Sequence, residues 1–256
     1  VSFALSEAPV VATVEGALWI PGAGALIVSD LHLEKGASFA RRGQMLPPYD
    51  TRATLARLEA LVLTLQPSCV VSLGDSFHDP YAAERLDHTD AAAVRRLTAM
   101  TDFVWIEGNH DPHPPVDLGG RAAAEIRIGG LTLRHEPAPS PMSGEVAGHL
   151  HPCAAVAGRG RRIRARCFAT DGARLVMPAF GAFTGGLNVC DAAFAAVFPG
   201  GCAAVLLARG GLSSGRGKAF AGRLRSDFLS FPKRPVRLVY SPLTTGVLCS
   251  MLTWWM

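Results

Sequence analysis

Ala25-Leu26-Ile27-Val28-Ser29-Asp30-Leu31-His32 carries a short, mostly apolar run straight into two side chains able to hold a metal ion. Runs of this length, rich in aliphatic and β-branched residues, read as buried strands. A strand that stops on Asp and His delivers donors at its carboxyl end. The pattern recurs along the chain. Residues 69–73 run into Gly74-Asp75, and residues 103–106 into Glu107-Gly108-Asn109-His110-Asp111. Residues 131–133 lead to His135, and Val146-Ala147 to Gly148-His149-Leu150-His151. Ligands of open α/β sheets bind beyond the carboxyl ends of the strands. Asp30, His32, Asp75, Asn109, His110, His135, His149 and His151 are therefore expected to meet.

Helical periodicity lies between these runs. Residues 50–65 place Leu55, Leu58, Val62 and Leu65 three and four apart, with Asp50 or Thr51 as the expected N-cap. Residues 82–100 repeat the pattern more weakly through Leu86, Val94, Leu97 and Met100. Strand and helix in alternation indicate an α/β domain. After His151 the pattern changes: residues 164–169 and 173–176 flank Thr170-Asp171-Gly172 as a hairpin, and residues 203–208 read as a strand. From about Gly210 the chain is rich in Gly, Ser and Arg, followed by Pro232, Pro235 and Pro242. The expected organisation is a domain over residues 1–210 and a poorly ordered extension of unknown role over 211–256.

Of 256 residues, 49% are hydrophobic and 18% charged, enough for a real core and against general disorder. No apolar run reaches the ~18 residues that span a bilayer, and residues 1–9 lack the features of a signal peptide. The six cysteines form no C-x-x-C pair, which favours reduced thiols. A cytoplasmic location without membrane contact is the expectation. The net charge of +4 permits an anionic partner, and only Lys35, Lys218 and Lys233 are lysines. Arginine grips phosphate oxygens in pairs, although a GC-rich genome produces the same bias.

The donors at the strand ends are carboxylate, carboxamide and imidazole. That mixture suits Mn, Fe, Zn or Ni better than the all-oxygen shells of Ca or Mg. In Asp30-x-His32 and His149-x-His151, extended backbone would send both donors to one side. Gly74, Gly108 and Gly148 each precede a donor, where the backbone must turn or approach closely. Two cations ~3.5–4 Å apart need a bridging ligand, and Asp75, alone at its strand end, is the natural bridge. His110 follows the ligand Asn109 and is cast as a proton donor to the leaving oxygen or a stabiliser of phosphoryl charge, oriented by Asp111.

A single His at a strand end is more often structural than ligating, but seven donors recurring at one topological place outweigh that reading. His78, His88 and His113 lack such a context and read as surface or supporting residues. Arg159, Arg161, Arg162, Arg164 and Arg166 form the densest basic run; Arg162, Arg164 and Arg166 would share a strand face, contacting phosphates or guarding an edge strand. Arg41 and Arg42 suit phosphate contact or a solvated helix face. Phe180, Phe183 and Asn188 either line the substrate cleft or pack a Gly-rich loop.

Taken in order, D-x-H (Asp30, His32), G-D (Gly74, Asp75), G-N-H-D (Gly108 to Asp111), a lone His135 and G-H-x-H (Gly148 to His151) resemble the calcineurin-like metallophosphoesterase superfamily over residues 25–152. The resemblance implies an α-β-β-α sandwich with two mixed sheets flanked by helices. It implies Asp30, His32, Asp75 and His151 on one cation, and Asp75, Asn109, His135 and His149 on a second. Where the superfamily often shows G-D-x-x-D, His78 and then Asp79 stand here. A narrower resemblance rests on Ser29-Asp-Leu-His-Leu-Glu-Lys-Gly-Ala-Ser-Phe-Ala-Arg-Arg-Gly-Gln44, Leu46-Pro-Pro-Tyr-Asp-Thr-Arg52 and Leu175-Val-Met-Pro-Ala-Phe-Gly-Ala-Phe-Thr-Gly-Gly-Leu-Asn188. These are similar to the bacterial ligase-associated DNA damage response endonucleases (PdeM). That family implies a manganese-dependent endonuclease or phosphodiesterase acting on DNA in repair, associated with an ATP-dependent ligase and a helicase. The rival readings are a phosphodiesterase or pyrophosphatase for nucleotides or other small molecules, and a non-catalytic binding scaffold on the same fold.

Overall fold

In the computed structural model, which describes residues 1–44, 49–158, 161–207 and 237–239, the chain opens with three short antiparallel strands. These are β1 (Ser2–Leu5), β2 (Ala8–Ala12) and β3 (Leu18–Ile20), and they lead into β4 (Ala25–Val28). Helices α1 (Lys35–Arg41) and α2 (Asp50–Leu65) precede β5 (Cys69–Ser72); α3 (His88–Met100) precedes β6 (Asp102–Ile106) and β7 (Arg121–Ala123). Strands β4 to β7 pair in parallel, so the tails of β4, β5 and β6 emerge at one edge of the sheet.

The second sheet contains β8 (Glu125–Ile128), β9 (Leu131–Arg134), β10 (Glu145–Ala147), β11 (Pro152–Gly158), β12 (Arg161–Thr170), β13 (Arg174–Val176), β14 (Leu187–Asn188), β15 (Ala203–Leu206) and β16 (Arg237–Val239). Here β10 lies parallel to β9 and β13, while β12 runs antiparallel to β11, β13 and β15. Both sheets are therefore mixed. A last short helix, α4 (Ala192–Val197), completes the set.

Period-two alternation explains the layering. Ala25 and Ile27 of β4, Val71 of β5, and Val104 and Ile106 of β6 face one way. They meet Leu131, Leu133, Val146, Phe168, Leu175 and Val205 of the second sheet. Their neighbours Leu26, Val28, Val70, Phe103 and Trp105 face the other way, against Leu55, Leu58 and Val62 of α2 and Val94 and Leu97 of α3. On the far side, Cys167, Ala169, Val176 and Ala204 receive Phe194 and Val197 of α4. The order is helices, sheet, sheet, helix, the sandwich that the resemblance implies. Each fully buried aliphatic or aromatic side chain in these layers contributes roughly 1.5–3 kcal/mol.

Two local expectations change. The helix expected over residues 82–100 starts at His88, because Asp87 caps it by accepting a hydrogen bond from Asp90 N at 2.8 Å. The N-cap of α2 is Tyr49, without a side-chain bond. Asp50 and Thr51 instead tie down the loop after β4: Asp50 Oδ2 accepts from Gly36 N at 2.9 Å and Thr51 Oγ1 from Glu34 N at 2.8 Å. Within residues 211–256, Arg237–Val239 adds to the second sheet parallel to β15; the rest of that extension lies outside the described residues. Among the described residues no helix is long and apolar enough to cross a membrane.

Candidate metal centre

The donors leave their strands in a way the sequence pattern did not indicate. Asp30 (φ 52°), His32 (45°), Asp75 (47°), His149 (67°) and His151 (45°) all adopt left-handed backbone, so the extended D-x-H and H-x-H geometry is replaced by tight turns. A left-handed L-residue costs roughly 1–2 kcal/mol, and Asp and His are among the side chains that tolerate it best. Five such residues hold their shape because the loops bond to one another. His32 N donates to Asp75 O at 2.9 Å, Leu33 N to Ser76 O at 2.9 Å, Gly148 N to His135 O at 2.8 Å and Phe180 N to Ser29 O at 2.7 Å. Glycine is required where two loops touch: a Cβ on Gly108 would overlap the backbone nitrogen of Asp75 and press on the Asp111 carboxylate.

All seven expected ligands come together. The donor atoms of Asp30, His32 and His151 lie within 4.8 Å of one another, and so do those of Asp75, His135 and His149. Asn109 joins the second group, its Oδ1 2.9 Å from His135 Nε2 and 3.0 Å from His149 Nδ1. Asp75 stands between the groups. Its Oδ2 is 3.9 Å from His32 Nε2, while its Oδ1 is 3.5 Å from His135 Nε2.

The electrostatics suit cations. His135 Nδ1 donates to Leu73 O at 2.8 Å, and its Nε2 faces Asn109 Oδ1 at 2.9 Å. With the ring proton on Nδ1, Nε2 offers a lone pair beside that oxygen, and a cation between the two would be held by both. Burial pushes His32 down to about 3, so its imidazole is neutral and its lone pair available. Burial would raise the Asp30 carboxyl, but His151, His135 and Ser29 outweigh it and hold Asp30 below the usual carboxylate range. His32 Nε2 and His151 Nε2 are buried without a hydrogen-bond partner, although His151 Nε2 sits 3.0 Å from Asp30 Oδ1. An unsatisfied buried polar atom costs about 1–3 kcal/mol. Divalent cations fit this donor set.

His78, read from the sequence as a surface or supporting residue, stands against the donors. His78 stacks on His110 with ring centroids 5.4 Å apart, its Nδ1 lies 3.5 Å from His32 Nδ1, and its carbonyl accepts from His110 Nδ1 at 2.8 Å. The available signal was its place three residues after Asp75, at the position where the superfamily pattern departs. The carbonyl of His78, rather than Asp111, thus orients His110. Asp111 is turned into the protein, accepting from Phe77 N at 3.1 Å, and burial pushes its carboxyl up to about 8.

The expected substrate contacts divide. Arg41 and Arg42 are exposed on a cleft of about 310 Å³ with Ser38, Asp79, Tyr81 and Arg85, beside His78. Arg164 donates to Gly186 O and Arg166 to Ala179 O, so both serve the 175–188 loop. The side chain of Arg162 lies outside the described residues. Phe180 is buried beneath the Arg57 guanidinium, 4.3 Å from its ring centroid, and therefore packs the loop. Phe183 is partly exposed, and Asn188 Oδ1 accepts from Cys190 N at 3.0 Å.

No family model matches the chain, and a search of curated proteins finds no match. Among solved structures, the chain is similar to the nuclease MPE of Pseudomonas putida. The two are 31% identical, with a TM-score of 0.60, over 73% of this chain and 90% of that one. It is more distantly similar to Yfce, a phosphoesterase from E. coli, at 19% identity and a TM-score of 0.35 over 64% of this chain and 83% of that one.

Proposed function

The chain belongs to the calcineurin-like metallophosphoesterases, and from that premise we propose that it hydrolyses phosphodiesters in DNA with two divalent cations. It is a metal-dependent phosphoesterase; the substrate, the metal count and the residue roles are our reading. Asp30, His32, Asp75 and His151 would hold one cation, and Asp75, Asn109, His135 and His149 the other. Bound there, the cations would supply Lewis acidity, making a water easier to deprotonate and offsetting charge on the phosphoryl oxygens.

The chain's own groups supply orientation and a proton. With Nδ1 committed to His78 O, His110 has Nε2 left for the substrate, 4.0 Å from Asp75 Oδ2. Its side chain is 41% exposed, so a substrate can reach it. Protonated, His110 donates to the leaving oxygen or offsets phosphoryl charge. Asp75 holds the loop that carries His110, because its Oδ1 accepts from His110 N at 2.8 Å. Asp111 steadies the same loop from beneath.

The observation that carries this reading is that the two oxygens of Asp75 face two separate donor groups. The likeness to the Pseudomonas putida nuclease, the net charge of +4 and the arginine bias favour DNA. The mixed O and N donors suit Mn, Fe, Zn or Ni, and manganese is chosen among them on the PdeM-like sequence segments. A role in repair beside an ATP-dependent ligase and a helicase rests on the PdeM-like sequence segments. The test is a manganese-dependent assay on circular single-stranded DNA run beside a nucleotide panel, with bound metal counted. Two ions per chain and cut circles are expected. Cleavage of nucleotides with intact circles would replace DNA by the small-molecule reading, and failure to bind any divalent ion would end both.

A further inference from the structure

We propose that the cleft between α1 and the turn Asp79 to Arg85 is a subsite for a nucleotide flanking the scissile phosphodiester, with its phosphate on Arg41 and Arg42 and its base on Tyr81. The proposal rests on the polynucleotide reading above and assigns a recognition role to residues outside the metal cage. The cleft adjoins the cage through His78. The His78 ring is 5.5 Å from that of His32 and 5.7 Å from that of Phe39, which lies on α1 two residues before Arg41. Along one strand, phosphates follow at a rise of about 3.4 Å, so the cleft opens within a few nucleotides of the cage.

Its chemistry suits a nucleotide. The one carboxylate lining it, Asp79, is already paired with Arg85 at 2.5 Å. Among the described residues the guanidinium groups of Arg41 and Arg42 form no ion pair or hydrogen bond with protein, in contrast to Arg52, Arg96 and Arg121 on the same sheet's outer side. The cleft therefore keeps a net positive charge directed at solvent. Tyr81 is 66% exposed at its rim, so its ring is accessible to a base. Its backbone nitrogen donates to Asp79 Oδ1 at 3.1 Å, which holds the residue in place. An arginine pair beside an exposed aromatic ring is the combination that binds unpaired nucleotides: cations take the backbone and the ring stacks on any base.

The experiment measures binding of the full chain, with manganese present, to a labelled ten-nucleotide oligothymidylate whose phosphorothioate linkages resist cleavage. Fluorescence anisotropy is read at several salt concentrations. Arg41→Ala/Arg42→Ala should weaken binding at least tenfold. It should also reduce the slope of log affinity on log salt by about 1.4, at roughly 0.7 for each lost phosphate contact on a single strand. Tyr81→Ala should weaken binding at least about fivefold with little change in that slope, as expected for a lost stacking contact. Arg95→Ala/Arg127→Ala removes the same charge from exposed positions elsewhere and should change affinity less than twofold. Wild-type affinity in the cleft variants, an equal loss in the Arg95/Arg127 control, or no binding by the wild type would each overturn the subsite. Hydrolysis of a simple aryl phosphodiester by the wild type judges the phosphodiesterase reading separately.

Discussion

Two buried polar clusters sit at different places in this sandwich, and they are built on opposite plans. Around Arg174 and Glu145 every donor finds an acceptor. Arg174 Nε lies 2.7 Å from Glu145 Oε2, Nη1 donates to Val197 O at 3.0 Å and Nη2 to Ala138 O at 2.7 Å, while Glu145 Oε1 accepts from Ala138 N at 2.7 Å. Around Asp75 the donors crowd together instead: His135 Nε2 and Asn109 Oδ1 face each other at 2.9 Å, and among the described residues His32 Nε2 is buried without a hydrogen-bond partner. A closed cluster holds structure, here the segment between His135 and β10. An open one holds a place for something else, at the expense of the protein that builds it.

The comparison is most severely tested at Asp75. Asp75→Asn should lower turnover by at least about 10³-fold, roughly 4 kcal/mol of transition-state stabilisation, while the metal-free protein unfolds no earlier than wild type. A fully active variant would remove the bridge from the mechanism. In the closed cluster, Arg174→Met leaves the buried Glu145 carboxylate only Ala138 N and the more distant Arg134, 3.8 Å away, and should cost about 3 kcal/mol in urea unfolding, most of which Arg174→Met/Glu145→Leu should recover. An equal loss in both variants would show that packing rather than charge is at stake there.

Smaller effects sharpen the contrast. Gly108→Ala forces the 108–111 loop off Asp75 and should cost about 1–3 kcal/mol, with weaker metal binding measured by calorimetry. Acid should also separate the clusters. The folded pKa of His32, about 3, is below its unfolded value, so the folded state binds fewer protons between them. Stability attributable to His32 is complete above about pH 6.5 and is lost as pH falls towards 3. Between pH 7 and pH 5 the metal-free protein should lose about 2 kcal/mol, and His32→Gln should remove the larger part of that loss. No difference between the two proteins across that range would mean that His32 is not held neutral by the fold.

Much of the architecture was legible because short apolar runs and helical periodicity are local signals. The helix over residues 50–65 follows from its three-and-four spacing, and β4, β5, β6 and β9 from apolar runs that stop on polar donors. Strands β1 to β3 were missed: their residues alternate weakly, and their burial comes from the neighbouring strand and the opposite sheet. The break before His88 was hidden because a single Asp cap outweighs a continuing apolar pattern.

What the amino-acid order determined by itself was the donor set and its place at strand ends, since those depend on residue type beside short apolar runs. Tertiary structure alone decided which oxygen of Asp75 meets which imidazole. It also decided that five donors sit on left-handed backbone, and that His78 rather than Asp111 steers His110. These depend on hydrogen bonds between loops separated by up to about 150 residues in the chain, and only the pairing of strands and the stacking of sheets brings such loops within bonding distance.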